Sequence, residues 1–131
     1  MIVLDTHAWL WWAQSTSIEL PTATRAFIES DAGPVGIASV SCLEVAWLVK
    51  KGRVVLPFPI EEFFTKAIDQ AGLVLLPLTP TIAARSTSLP DIHRDPIDRV
   101  IIATAIGNDA DLISRDEVVG KYPGVRVRWD R

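Results

Sequence analysis

The first dozen residues constrain the fold of this chain most strongly. Ile2 to Leu4 form an apolar run that is too short for a helix and too apolar for a loop, so it predicts a buried strand. The run ends on a carboxylate, Asp5, and a helical segment follows with Thr6 as its expected cap. In open parallel α/β sheets, ligands bind outside the carboxyl ends of the strands. The first strand therefore delivers an acidic side chain to the place where such folds bind ligands.

Short apolar runs and helical segments alternate along the rest of the chain. Further strands are predicted at residues 34–38, 73–76, 112–114 and 125–129, the last at a sheet edge. Helices are predicted at residues 6–14, 21–30, 41–51, 60–71, 79–88, 95–106 and 116–121. This alternation predicts an α/β fold, a single domain over residues 1–131 with a mostly parallel sheet of about five strands and helices on both faces.

The composition argues against several classes of protein. No apolar run approaches the roughly 20 residues that a membrane-spanning helix needs, and the N-terminus lacks the basic flank and cleavage site of a secretory peptide. The one cysteine, Cys42, cannot form an internal disulfide and suits a reducing compartment, so we expect a cytoplasmic protein. The net charge of −3 gives no overall attraction for nucleic acid. Phosphate binding therefore requires a local basic patch or a metal.

Several carboxylates fall at strand ends or helix starts, which face one rim of a parallel sheet. They are Asp5, Glu44, Asp95, Asp98 and Asp116. Carboxylates gathered on one rim repel each other unless protons or a divalent cation neutralise them. Oxygen ligands without a His or Cys pair favour Mg²⁺ or Mn²⁺ over Zn²⁺. The pattern therefore predicts a metal site built from acids.

These acids also have structural interpretations. Ser41 and Glu44 match the Ser-x-x-Glu pattern of a capping box. Asp95 is placed to cap the following helix, Asp98 to complement its dipole, and Asp116 to cap the short helix behind it. The acid after the first strand is the hardest to explain in this way, because Asp is disfavoured at the end of a buried strand. A metal site explains all of the acids on one rim better than a set of separate caps does.

Basic and aromatic residues accompany the acids. Arg115 directly precedes Asp116, and surface arginines of this kind either bind a phosphate backbone or merely balance nearby acids. Trp9, Trp11 and Trp12 crowd the first helix, whose 3.6-residue turn cannot place all of them on one narrow face. Core packing accounts for most of the tryptophans. We expect at least one to contact a partner chain, because Trp is favoured at the centres of interfaces.

A set of short motifs runs in order along nearly the whole chain. The motifs are Leu4-Asp5-Thr6-His7-Ala8 with Trp11-Trp12, then Ser41-x-x-Glu44, then His93-Arg-Asp-Pro-Ile-Asp-Arg99 running into Ile102-Ala-Thr-Ala105, then Ser114-Arg-Asp116. Each motif alone is weak, but the ordered set is fairly specific. Together they resemble PIN domains and, more narrowly, the VapC-type toxins of toxin–antitoxin pairs.

The resemblance implies an endoribonuclease that depends on Mg²⁺ or Mn²⁺ and is usually a homodimer. It also implies inhibition by a small antitoxin protein that covers the active site and wraps the first helices. The residues that match the acids of the family's active site are Asp5, Glu44, Asp98 and Asp116. Thr6 and Ser114 match hydroxyl positions that line the site, and Asp95 belongs to an Asp-Pro-x-Asp-Arg variant of the motif.

These assignments predict a mechanism. We expect Asp5 and Asp98 to hold the metal directly, and Glu44 and Asp116 to hold it directly or through water. The metal lowers the pKa of a bound water and stabilises charge on the scissile phosphate, and Glu44 or Asp116 helps to orient or deprotonate that water. In-line hydrolysis then leaves a 5′-phosphate and a 3′-hydroxyl. The residues expected to contact the RNA are Thr6, Ser114, Arg94, Arg99 and Arg115.

Two other classes of function remain open on the sequence. A phosphoaspartate enzyme also uses an aspartate at the end of its first strand, but its Asp-x-Asp pattern fails here at His7. A catalytically silent PIN-like domain would use the tryptophan-rich helix to bind a partner. The absence of any heat on Mn²⁺ titration would distinguish the silent domain from the nuclease.

Overall fold

The sheet of this protein has its first strand at the centre. The computed structural model describes residues 1–14, 17–30, 33–92 and 95–130. Its strands are β1 (Ile2–Leu4), β2 (Val35–Ala38), β3 (Val74–Leu76), β4 (Asp111–Ile113) and β5 (Arg126–Arg128). All neighbouring strands pair in parallel, in the order β3-β2-β1-β4-β5. The predicted α/β fold is confirmed, and the last strand lies at a sheet edge as expected.

Within the described residues, six α-helices connect or flank the strands. They are α1 (Thr6–Ala13), α2 (Thr22–Glu29), α3 (Ser39–Lys50), α4 (Ile60–Phe64), α5 (Pro80–Ser88) and α6 (Pro96–Gly107). A π-helical segment, Thr65–Gln70, continues α4, and a short 3₁₀ turn, Val119–Lys121, stands where a helix was predicted from residue 116. No helix in this part of the chain has the length and apolar character that crossing a membrane requires.

Strand β1 is buried on both faces of the sheet, which explains its uniformly apolar sequence. Ile2 and Leu4 pack on one face with residues of α1, α3 and α4. Val3 packs on the other face with Ile101 and Ile102 of α6. Helices therefore cover both faces, as predicted, and the ends of the strands are where a ligand can approach the sheet.

The parallel register aligns the carboxyl ends of the three central strands. Leu4 pairs with Ile37 of β2 and with Ile113 of β4. The backbone N–H of Asp5 then donates to the Ile113 carbonyl oxygen at 3.1 Å, one residue beyond the strand. The starts of α1 and α3 and the segment after β4 consequently meet at one rim.

Trp9 anchors α1 to the sheet. Its side chain is fully buried, and its indole Nε1 donates to the carbonyl oxygen of Ala67 at 3.1 Å. Its ring lies 5.8 Å from that of Phe63 and 6.2 Å from that of Phe64, measured between centroids. Core packing, expected for most of the tryptophans, therefore holds for this one.

Gly36→Ala tests the close approach of β2 to β3. A Cβ at residue 36 would lie 2.9 Å from Leu76 Cδ1 and 3.1 Å from the Val74 carbonyl oxygen, so the Leu76 side chain would have to shift and the backbone at Val74 to give slightly. We expect the free energy of unfolding, measured by urea denaturation, to fall by about 1–3 kcal/mol. Gly120→Ala is the matched control, because nothing lies within 4 Å of its Cβ position. Equal stability of the two variants would contradict the tight packing.

Candidate active site

A cleft at the carboxyl ends of the strands gathers the predicted acids. The cleft has a volume of about 220 Å³, and buried Ser114 at the end of β4 contributes to its wall. The acids that line it are Asp5, Glu44, Asp95, Asp98 and Asp116. The structure thus brings together all of the carboxylates that the sequence placed on one rim, and we call this site the acidic cleft.

Three of these acids form the tightest group. Glu44 on α3, Asp95 at the start of α6 and Asp98 in its first turn each offer a carboxylate oxygen within 4.8 Å of the other two. All three side chains are half-buried. Hard divalent cations bind carboxylate oxygens at about 2.0–2.6 Å, and an oxygen-only group of this size suits them. Asp95 therefore lies closer to the centre of a candidate cation site than the sequence indicated.

Asp5 caps α1 as well as lining the acidic cleft. Its Oδ1 accepts the Ala8 backbone N–H at 2.8 Å, so Asp5, and not Thr6, is the cap of this helix. Burial raises the pKa of the Asp5 carboxyl above its usual range, and nearby Glu44 raises it further, whereas hydrogen bonds from Ser114 and Ala8 partly oppose the rise. Ionised Asp5 is therefore costly unless a cation lies beside it.

Thr6 fixes α1 against α3 and does not line the acidic cleft. Its side chain is buried, and its hydroxyl donates to Ser41 Oγ at 3.0 Å. Helix α3 begins at Ser39, so Ser41 lies inside the helix and makes no cap. The capping-box interpretation of Ser41 and Glu44 is therefore wrong, and Glu44 lines the cleft instead.

Asp95 and Asp116 do make the caps that the sequence suggested. Asp95 Oδ1 accepts the Ile97 N–H at 2.9 Å, and Asp116 Oδ1 accepts the Val118 N–H at 2.9 Å, although in a turn rather than a helix. The N–H of Asp116 also donates to Ser114 Oγ at 3.1 Å. These backbone bonds engage one oxygen of each carboxylate. Since a carboxylate has two oxygens, capping and cation binding are compatible.

Arg99 ties the loop after α5 to α6. Its guanidinium donates to the backbone carbonyl oxygens of Ser86, Leu89 and Pro90 at distances of 3.0, 2.7 and 2.9 Å. These bonds hold the guanidinium in a structural role. The expected contact of Arg99 with RNA therefore finds no support in this geometry.

The two other predicted arginines are Arg94 and Arg115. Arg115 is exposed, and its guanidinium carbon lies 4.6 Å from the centroid of the Trp11 ring. Arg94 and the neighbouring His93 lie outside the described residues. Arg115 is thus the basic candidate whose position beside the acids can be described.

Residues 2–125 match the family described as PIN domain. The chain belongs to the PIN domain family. It is 30% identical over 116 residues to Ribonuclease VapC22 of Mycobacterium tuberculosis, an alignment that covers 88% of this chain and 86% of the relative. As a VapC-type PIN domain protein, the chain is a nuclease of the hydrolase class.

Solved structures of toxin–antitoxin complexes contain chains with the same PIN-like fold. VapBC2 from Rickettsia felis, bound to a DNA fragment from its promoter, contains a chain similar at a TM-score of 0.72 and 17% identity, covering 99% of this chain and 100% of that one. DNA-bound VapBC from Salmonella typhimurium contains another, at a TM-score of 0.69 and 15% identity, covering 98% of each chain. At these identities the similarity shows the fold alone.

Asp5→Asn separates the capping role of Asp5 from its charge. Because the pKa of Asp5 is raised in the folded state, its contribution to stability is complete below the unfolded-chain value, about 3.9, and is lost as the pH rises toward the folded value. Asn removes this loss and still caps α1. The quantity to measure in EDTA is the free energy of unfolding of Asp5→Asn minus that of the unchanged protein. This difference should increase as the pH is raised from about 4 to about 7.

The control for this measurement is Asp69→Asn. Asp69 is exposed and lies outside the lining of the acidic cleft. Urea denaturation across the same pH range should give no comparable rise for this variant. If the free energies of unfolding of Asp5→Asn and the unchanged protein differ by the same amount at every pH, ionised Asp5 does not destabilise the folded protein.

Proposed function

We propose that this protein is the toxin of a toxin–antitoxin pair, an endoribonuclease that needs Mg²⁺ or Mn²⁺ and hydrolyses RNA phosphodiester bonds. The observation that carries the proposal is the convergence of five carboxylates in one cleft, in a PIN domain chain related to a protein named a ribonuclease. Carboxylates gathered in one cleft favour a divalent cation, which also serves phosphodiester chemistry.

The proposed cation site is centred on Glu44, Asp95 and Asp98, with Asp5 and Asp116 as direct or water-mediated neighbours. The oxygen-only donor set supports Mg²⁺ or Mn²⁺ over Zn²⁺. When bound, such a cation stabilises charge on the scissile phosphate and lowers the pKa of a coordinated water. The raised pKa of Asp5 fits this site, because a carboxylate that is costly to ionise alone gains most from a nearby cation.

Two acids that line the acidic cleft are the proposed proton acceptors. Glu44 or Asp116 would orient the attacking water and take its proton, and in-line attack would leave a 5′-phosphate and a 3′-hydroxyl. Asp116 is held in place by its hydrogen bonds with Val118 and Ser114. The Ser114 hydroxyl also hydrogen-bonds Asp5, so it links the two acids at the ends of β1 and β4. These bonds support a preorganised site.

The proposed protein partner is a cognate antitoxin. The similar solved structures are of toxin–antitoxin complexes. In this chain an apolar cleft of about 270 Å³ lies beside the end of α1, with Trp12, Phe58 and Phe63 in its lining. The Trp12 indole N–H is buried and has no acceptor among the described residues. An amphipathic segment of an antitoxin would fill this cleft, in keeping with the expectation that a tryptophan of α1 contacts a partner.

We also propose that the protein forms a homodimer. Large apolar side chains are exposed on α3 and next to or within the edge strand β3, with Leu43 at 54%, Leu75 at 48% and Leu78 at 45% exposure. The Leu78 N–H donates to Ser39 Oγ at 3.1 Å, so the end of β3 lies beside the start of α3. Apolar surface of this kind is typical of protein interfaces.

Leu75→Glu tests the homodimer. Burying a charge in an apolar interface should raise the dimer dissociation constant by at least about 30-fold, as measured by sedimentation velocity. Val55→Glu is the control, since Val55 is an apolar residue with 87% exposure in the connection after α3. A protein that sediments as a monomer at all micromolar concentrations would overturn the dimer, and a dimer unaffected by Leu75→Glu would exclude this surface.

Asp98→Asn tests the nuclease and its metal together. The variant should bind Mn²⁺ about 10- to 100-fold more weakly in calorimetric titration. It should cleave structured RNAs slower by on the order of 100-fold or more. Asp95→Asn keeps a helix cap but removes a charge from the same group, so its Mn²⁺ affinity should fall comparably. Circular dichroism checks that each variant is folded.

Asp69→Asn is again the matched control and should cleave RNA at the rate of the unchanged protein. Full cleavage by Asp98→Asn, or cleavage that persists in EDTA, would contradict the metal-dependent mechanism. If the unchanged protein gives neither Mn²⁺ heat nor RNA cleavage, the silent interaction domain becomes the better explanation.

A further inference from the structure

A second cleft opens beside the acidic one. It has a volume of about 280 Å³, and it shares Asp5, His7 and Asp116 with the acidic cleft. Trp11 and Arg115 complete its lining, and we call it the aromatic cleft. Its volume is close to the lower end, about 300 Å³, of sites that bind small molecules. A group bound here would therefore lie directly next to the site of chemistry.

Two aromatic rings and one cation line the aromatic cleft. The ring centroids of His7 and Trp11 are 5.7 Å apart, and the Arg115 guanidinium carbon lies 4.6 Å from the Trp11 centroid. His7 and Arg115 are exposed, and none of the ion pairs found among the described residues includes Arg115. Aromatic rings and arginine planes are the surfaces on which proteins stack the bases of single-stranded nucleic acids.

The backbone and the ring of Trp11 both contact other segments of the protein. Arg25 of α2 donates through Nη2 to the Trp11 carbonyl oxygen at 3.1 Å and through Nη1 to that of Trp12 at 3.2 Å. The Trp129 ring, directly after β5, meets the Trp11 ring edge-on with 6.0 Å between centroids. The Arg25 bonds fix the backbone here, and the Trp129 contact restricts the indole, so the side chain loses less conformational freedom when a ligand stacks on it.

The rings and the charges that line the aromatic cleft suit a nucleotide. We propose that the aromatic cleft binds an unpaired nucleobase next to the scissile phosphate, with the base stacked against Trp11 and His7 and its phosphate near Arg115. This inference rests on the proposed ribonuclease function and deepens it, because it names the side chains of this chain that contact a base beside the cut. Asp5 and Asp116 repel phosphate from their side of the cleft, so the phosphate lies on the side of Arg115.

Binding of a short single-stranded RNA in EDTA tests the proposal without any cleavage. Fluorescence anisotropy should show that Trp11→Ala binds roughly 5- to 150-fold more weakly than the unchanged protein. Trp11→Phe should retain most of the affinity, because it keeps an aromatic face. Trp47→Ala is the matched control, since Trp47 also has a cation over its ring, Lys50 at 5.7 Å, but lines neither of these two clefts. Arg115→Gln should reduce the salt dependence of log Kd by about 0.7.

Removal of single bases from the RNA separates stacking from a purely structural role of Trp11. One abasic position should weaken binding to the unchanged protein by a factor similar to that of Trp11→Ala. The same abasic RNA should bind Trp11→Ala no worse than intact RNA does, because the base and the indole act as a pair. A duplex of the same sequence should bind more weakly than the single strand.

The outcomes distinguish this proposal from the one on which it rests. Equal RNA affinity of Trp11→Ala and the unchanged protein would overturn the base site. The same holds if the losses of binding free energy from Trp11→Ala and from the abasic RNA are additive. If the same RNAs are nevertheless cleaved with Mn²⁺, the proposed ribonuclease function is still supported. An unchanged protein that neither binds nor cleaves RNA would overturn both.

Discussion

Repulsion among carboxylates held at one rim is the constraint on which the site depends. The fold gathers these charges by giving several of them backbone partners, because the N–H groups of Ala8, Ile97 and Val118 each bind one acid. Each bond orients a carboxylate and engages one of its oxygens. The caps therefore orient these acids toward the acidic cleft, and a second oxygen on each carboxylate makes this orientation compatible with the proposed cation site.

The sheet explains why the acids meet. Strand β1 lies at the centre and is buried on both faces, so Asp5 is the first place along it where a polar side chain can reach solvent. The parallel register brings the starts of α1 and α3 to the same rim as the end of β4. Helix α1 begins at the acidic cleft and carries Trp11 along the aromatic cleft. One short helix thus serves both the proposed chemistry and the proposed base binding.

The sequence predicted the strands, the helices and the convergence of the acids, since these follow from apolar periodicity and from the ends of parallel strands. It could not predict contacts between distant segments. Ser41 resembled a cap because nothing local indicates that β2 passes into α3 already at Ser39. The bonds of Arg99 depend on how the loop after α5 folds back on α6. The place of Asp95 beside Glu44 depends on the packing of α6 against α3, which capping rules do not describe.

The acidic cleft has a consequence for the charge of the whole molecule. Five acids line it, whereas the whole chain has a formal net charge of only −3. The other residues taken together therefore carry a net positive charge. The negative charge of the protein is thus concentrated in the acidic cleft, and the remaining residues are mildly basic in sum. At low ionic strength, where charges act over about 10 Å or more, the acids of the cleft repel a polyanion on their own side, whereas the remaining residues do not oppose its approach. On the proposed function, a bound cation would lower this local repulsion at the point where the RNA is cut.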